Sequence, residues 1–116
     1  MKKSLFISLL TAVTLPLITT AYAQVQPSKE VLLDNDKVQV VRLTYPAGTE
    51  SGMHTHQYPH RTVYVVQGGK LAMESENGAE KVLDIKTGQV VFAPASTHNV
   101  KNVGDTEIVL LETELK

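Results

Sequence analysis

Four histidines are the residues of this chain best suited to chemistry, and they fall in two short segments. His54, His56 and His60 lie within seven residues of one another, and His98 follows Pro94 in a second segment of similar character. Side chains at positions i and i+2 of a strand point to the same face, so we expect His54 and His56 to share a face. Neutral imidazoles gathered on one face suit a transition-metal ion.

The position of His60 leaves two arrangements open. If the strand is unbroken, His60 lies six residues after His54 and keeps the same face. His98 would then join from a second strand and complete a set of four. Pro59 cannot donate a hydrogen bond to a strand ladder and often marks a bend, so the face of His60 can also change. The residues therefore predict a site of three or four histidines.

The segments around the histidines have the composition of short strands separated by turns, and none has a helical period. Two β-branched runs flank the first segment, and Asn77-Gly78 is a strong signal for a hairpin. The final run is too apolar to be left as an open sheet edge. We expect eight or nine strands in an all-β sandwich or barrel. The main segments are Val38–Tyr45, Thr62–Gln67, Lys70–Ser75, Lys81–Ile85 and Ile108–Leu115.

The N-terminus has the pattern of a cleavable signal peptide over residues 1–23. Lys2 and Lys3 precede an uncharged, mostly apolar stretch, and Ala21-Tyr22-Ala23 matches the sequence read by signal peptidase. The stretch contains Pro16 and is shorter than the roughly 20 apolar residues that span a bilayer. We therefore predict cleavage after Ala23 and a periplasmic or secreted protein.

Cleavage would leave 93 of the 116 residues. We expect residues 24–34 to form an N-terminal leader and residues 35–116 to form a single domain, which is long enough to fold without disulfides. The chain has no cysteine, and its 11 basic and 12 acidic residues are scattered. Nucleic-acid binding requires a basic face, so this class of partner is excluded. No later segment is apolar enough to enter a membrane.

Two motifs in this chain resemble those of the cupin superfamily, specifically its small single-domain members. The first family motif is Gly, five residues, His-x-His, three or four residues, Glu, six residues and Gly. The second is Gly, five residues, Pro-x-Gly, two residues, His, three residues and Asn. The glutamate position of the first motif falls on Arg61 when counted back from Gly68, and on His60 by strand parity. The second motif is one residue short and lacks the glycine after its proline. The matching residues are Gly48, His54, His56, Gly68, Gly88, Pro94, His98 and Asn102.

The resemblance covers most of Asn35–Leu115 and implies an antiparallel double-sheet jelly-roll barrel. It also implies one divalent metal ion held by His54, His56 and His98, with His60 as a fourth ligand in place of the glutamate. The ion is expected to be Fe, Mn, Ni, Cu, Co or Zn. Loss of a hard carboxylate ligand disfavours Mg and Ca.

We expect Arg61, Tyr58 and Tyr64 to line a pocket for a small-molecule ligand. If Arg61 pointed inward it would repel a cation and suit a carboxylate-bearing ligand. Two classes of function remain open. One is a metal-dependent oxygenase, isomerase or decarboxylase of the family. The other is a non-catalytic module that binds a small ligand or the metal itself. The resemblance also implies a homodimer formed through sheet edges.

Overall fold

The structure is a computed structural model that describes residues 12–116, within which it contains nine β-strands. The first eleven residues of the predicted signal peptide lie outside the described residues. Residues 12–27 have no regular secondary structure. Among residues 12–116 there is no helix of the length and apolarity needed to cross a bilayer. The strands are β1 Ser28–Asp34, β2 Val38–Tyr45, β3 His54–Thr55, β4 His60–Gln67, β5 Gly69–Ser75, β6 Glu80–Ile85, β7 Val90–Pro94, β8 Thr97–Asn102 and β9 Ile108–Leu115.

The strands form two antiparallel sheets, which confirms the predicted all-β double-sheet fold. The five-stranded sheet has the order β1-β2-β9-β4-β7, and the four-stranded sheet has the order β3-β8-β5-β6. The last strand along the chain is therefore the central strand of the larger sheet. It pairs on one side with β2 and on the other with β4.

The core lies between the two sheets, and strand parity decides which residues enter it. In β9 every second residue is buried, beginning with Ile108, because alternate side chains of a strand face opposite sides. Ile108, Val41 and Val65 are the most completely buried side chains of appreciable size. The predicted hairpin across Asn77-Gly78 joins β5 to β6. Gly78 has φ of 83°, a left-handed conformation that favours glycine.

The first strand lies in the segment that the sequence predicts as a leader. From Ser28 to Asp34, β1 pairs with β2, with a register shift between Val31 and Leu33. All seven of its residues are solvent-exposed, so the strand has no buried face that a sequence pattern would reveal. Backbone pairing with β2 at the edge of the sheet explains why this segment forms a strand. The sheet thus begins at Ser28, before the expected boundary at Asn35.

Candidate metal centre

Three histidines from two neighbouring strands form the cluster at the centre of the site. In the antiparallel pair of β3 and β8, His54 lies directly opposite His98. His56 follows β3, and its backbone N–H donates to the carbonyl of Ser96 over 3.0 Å, which keeps it alongside the same strand. The three ring centroids lie 4.7 to 4.9 Å apart. We call His54, His56 and His98 the three-histidine cluster.

The Nε2 atoms of the cluster converge. Nε2 of His56 lies 3.2 Å from Nε2 of His54 and 3.2 Å from Nε2 of His98. Nitrogens bound to one ion at roughly 2.0–2.1 Å, in tetrahedral or octahedral geometry, lie about 2.9–3.4 Å apart. The spacing in the cluster falls in this range, so these residues fit a single transition-metal ion.

Each Nδ1 atom of the cluster is held by an oxygen atom on the outer side of the ring. Nδ1 of His54 lies 2.9 Å from the carbonyl oxygen of Gly52, and Nδ1 of His98 lies 3.1 Å from the hydroxyl of Ser96. Nδ1 of His56 contacts the carboxylate of Glu114. A carbonyl or carboxylate oxygen only accepts, so Nδ1 of His54 and of His56 carries the proton and Nε2 keeps its lone pair. This arrangement orients imidazoles toward a metal ion.

Burial favours the neutral form of His56 and His98, which is the protonation state that a metal ligand needs. The pKa of His98 is lowered from 6.5 to about 4, mainly by burial and in addition by the neighbouring His54 and His56. Burial also lowers the pKa of His56, although its hydrogen bond to Glu114 acts in the opposite direction. The lone pairs of His56 and His98 are therefore available near neutral pH.

The structure does not bring His60 to the cluster, which corrects the expectation of a fourth histidine ligand. The strand is broken over residues 56–59, between β3 and β4, so the parity counted from His54 does not continue. His60 lies exposed on the outer face, where its ring stacks on Phe92 with centroids 5.1 Å apart. Arg61, the next residue, is buried and occupies the inward position.

Arg61 points inward beside a carboxylate. Its Nη1 donates to the carbonyl of Pro94 over 2.6 Å, and its Nε lies 3.3 Å from Oε2 of Glu112. The sequence left open whether Arg61 points inward, where it would repel a cation. With Glu112 alongside, the positive charge of Arg61 is compensated within the protein.

Glu112 and Glu114 are the site residues that the sequence analysis missed. Both side chains are buried, and both lie on β9 at the inward parity set by Ile108 and Leu110. Burial raises the pKa of Glu112, as does the nearby charge of Glu114. The alternation of side chains along β9 could have identified them from the sequence, because the two glutamates occupy the same alternate positions as the buried apolar residues of this strand.

Two cavities meet at the cluster. The outer cavity has a volume of about 570 Å³ and is lined by His54, His56, Glu112 and Glu114 together with the predicted pocket residue Tyr58. Tyr64 does not line it: this side chain is 44% exposed on the outer face of β4, which corrects the second tyrosine prediction.

The inner cavity, about 140 Å³, lies within the barrel and is lined mostly by aliphatic side chains. Arg61 lies on its wall with His54, His98 and Glu112, which are the polar residues facing this space together with Tyr45. Burial raises the pKa of Tyr45 to about 12, so its hydroxyl stays protonated. The site thus has a polar outer side and an apolar inner side.

Other residues of the two motifs build the turns that carry the cluster. Gly48 and Gly88 have φ of 76° and 86°, conformations that favour glycine. The side-chain amide of Asn102 donates to the carbonyls of Tyr45 and Thr106 over 2.8 and 2.7 Å. Asn102 therefore fixes the strand ends near the site without facing it.

Comparison with known proteins agrees with this architecture. Residues 41–114 match the family model described as a cupin domain. The chain is 33% identical over 87 residues to the β-alanine degradation protein BauB of Pseudomonas aeruginosa, an alignment that covers 74% of this chain and 90% of that protein.

Two solved structures have the same fold. A cupin domain from Bordetella pertussis is 30% identical, with a TM-score of 0.73, over 83% of this chain and 99% of its own. A conserved protein with a double-stranded β-helix domain from Klebsiella pneumoniae is 22% identical, with a TM-score of 0.66, over 82% of this chain and 81% of its own. The second likeness concerns the fold alone.

Proposed function

This chain belongs to the cupin family, and we propose that His54, His56 and His98 hold one divalent transition-metal ion that acts on a small molecule bound in the outer cavity. One observation carries the proposal: the three Nε2 atoms converge while an oxygen atom holds each Nδ1. Unprotonated nitrogens 3.2 Å apart repel one another unless a cation or a proton lies between them.

Three protein ligands leave further coordination positions for water or substrate, which is typical of catalytic rather than structural metal sites. An ion with open positions supplies a Lewis acid or a place for substrate to coordinate. The protein's part is to orient the imidazoles, to keep them neutral and to shape the two cavities. Fe, Ni, Cu, Co and Zn suit a set of neutral imidazoles better than Mn does, because Mn favours carboxylate and water ligands.

The proposal is tested by measuring metal content in matched histidine variants. We expect near-stoichiometric metal in the wild-type protein, purified without a histidine tag, and its loss in His54→Ala/His56→Ala. His60→Ala is the control, because it removes an imidazole that lies outside the cluster. Wild-type protein without metal that also ignores added ions, with no change in melting temperature, would exclude the metal centre.

Turnover separates an enzyme from a binding module. An enzyme would convert a substrate in the metal-loaded form and lose this activity in His54→Ala. A protein that binds saturably and yields no product would be the non-catalytic alternative. Candidate substrates include small amino compounds, since the Pseudomonas relative is named for the degradation of β-alanine.

We also propose that the protein is exported and acts as a periplasmic or secreted domain. The support is the order of a basic start, an apolar stretch and Ala21-Tyr22-Ala23 over residues 1–23.

A further inference from the structure

Glu114 carries a buried oxygen atom that has no hydrogen-bond partner among the described residues. Oε1 of Glu114 contacts Nδ1 of His56, while Oε2 is buried and has no hydrogen-bond partner within residues 12–116. The side chain is only 9% exposed. Leaving a buried acceptor without a donor is unfavourable, and more so for a charged group. The structure therefore has a place for a donor from outside the chain.

The charge around Glu114 indicates what kind of donor is missing. The other buried carboxylate, Glu112, lies beside the cation Arg61, so its charge is compensated. Glu114 contacts the imidazole of His56, whose pKa is lowered. Lys29 also lies on the cavity wall but is solvent-exposed. Arg61 lies opposite Glu114 in the strand register but pairs with Glu112, so Glu114 has no ion pair with a lysine or arginine among the described residues, and a cationic donor would suit it better than a neutral one.

Glu114 and the three-histidine cluster share the outer cavity. His56 lies between them, with Nε2 toward the cluster and Nδ1 toward Glu114. The cavity volume of about 570 Å³ is large enough for a small organic molecule. A molecule that coordinates at the cluster and extends past one imidazole ring would reach the carboxylate of Glu114 on the cavity wall.

We propose that the outer cavity binds a small organic ammonium compound whose N–H groups donate to the carboxylate of Glu114 while its other end lies toward the three-histidine cluster. The position of that other end rests on the proposed metal centre; the ammonium contact does not. A second metal ion bound by His56, Glu112 and Glu114 fits less well. Nδ1 of His56 carries a proton, and Arg61 already lies beside Glu112.

The test compares compounds that differ only at the end expected to meet Glu114. Calorimetric titration would give Kd for 3-aminopropanoate, 3-hydroxypropanoate, propanoate and 3-(trimethylammonio)propanoate. A buried charge-assisted hydrogen bond contributes about 1.5–3 kcal/mol, so we expect 3-aminopropanoate to bind roughly 10- to 100-fold more tightly than propanoate. The hydroxy compound should fall between them. The trimethylammonium compound keeps the charge but lacks an N–H donor, and should lose most of the gain.

Glu114→Gln is expected to reduce this preference to within about threefold. Glu74→Gln is the matched control, because Glu74 pairs with Lys101 over 2.7 Å and does not line the cavity. The titrations are repeated on zinc-loaded and metal-free protein, with zinc stoichiometry measured on the same samples. A failure of the metal centre is thereby separated from a failure of the ammonium contact.

Equal affinity for the four compounds in the wild-type protein would overturn the proposal, and so would a preference that survives Glu114→Gln. The wild-type series decides the question by itself if that variant does not fold.

Discussion

Arg61 and Glu112 form a buried ion pair across β4 and β9, with Nε of Arg61 3.3 Å from Oε2 of Glu112. In the register of these strands, Arg61 lies opposite Glu114, and Glu112 lies two pairs further along, opposite Val63. A cation thus stands where the first family motif has a glutamate. The carboxylates of the site come instead from the neighbouring strand.

The ion pair predicts a large cost for removing the cation alone. Arg61→Ala would leave Glu112 buried without its partner, so we expect a loss of about 3–5 kcal/mol in the free energy of unfolding. Arg61→Met/Glu112→Leu should recover most of that loss. Arg42→Ala, which breaks an exposed pair with Glu30, should cost less than about 1 kcal/mol. Urea denaturation measures all three, and equal effects of Arg61→Ala and Arg42→Ala would contradict the prediction.

Glu114 is expected to tune the metal centre through His56. Glu114→Ala removes the acceptor for the Nδ1 proton of His56, and loss of such a contact typically weakens metal binding about 10- to 100-fold. Glu114→Gln keeps an acceptor oxygen and should lose less. Competition with a chelator of known affinity gives the zinc Kd of each variant. An unchanged Kd in Glu114→Ala would show that His56 is oriented without this carboxylate.

The lowered pKa of His98 predicts that metal-free protein becomes less stable in acid. Between pH 6.5 and about 4 the unfolded state binds a proton that folded His98 does not, so stability falls as pH falls through this window. The full effect is roughly 3 kcal/mol. His56 contributes with the same sign, whereas the raised pKa of Glu112 acts in the opposite direction. Denaturation across this range, with chelator present, should show a shallower pH dependence in His98→Gln. Parallel curves for the two proteins would refute the assignment.

Asn102 is expected to matter for folding rather than for metal binding. Asn102→Ala leaves the carbonyls of Tyr45 and Thr106 without their donor, and each unsatisfied group costs about 1–3 kcal/mol. We expect a lower melting temperature with unchanged metal stoichiometry in the folded protein. Loss of metal from fully folded Asn102→Ala would assign this residue a direct role in the site.

The export proposal predicts the N-terminal residue of the mature chain. Mass spectrometry of protein recovered from the periplasm or medium should give a chain that begins at Gln24. Ala21→Lys/Ala23→Lys disrupts the small residues that the peptidase reads and should block processing. An unprocessed wild-type chain, found inside the cell, would refute the export proposal.

Strand composition was sufficient to predict most of the fold. Val38–Tyr45 forms the predicted strand, and Asn77-Gly78 joins two strands as expected. The spacing of His54, His56 and His98 also anticipated that they would meet. These features depend on local pattern, which a sequence displays directly.

Long-range relationships could not be predicted in the same way. The face of His60 depends on how the chain bends at Pro59, and a bend of one residue reverses every later side chain. The role of Glu114 depends on the pairing of β9 with β4, which places Glu114 opposite Arg61, a residue 53 positions earlier in the chain. The sequence indicates a short strand near residues 30–36, but this strand has no buried face, so its place in the sheet depends on its pairing with β2.

The central place of β9 has a consequence for how the protein folds. Because β9 lies between β2 and β4, each of these two strands has one unpaired edge until β9 docks. A growing chain would therefore present two separate fragments with unpaired strand edges. Docking closes loops of about 65 and 40 residues at once, a topology associated with slow folding. Because Glu112 and Glu114 arrive on this same strand, the cluster gains its charged surroundings only in the step that closes the sheet. Assembly of the site and completion of the domain are therefore one event.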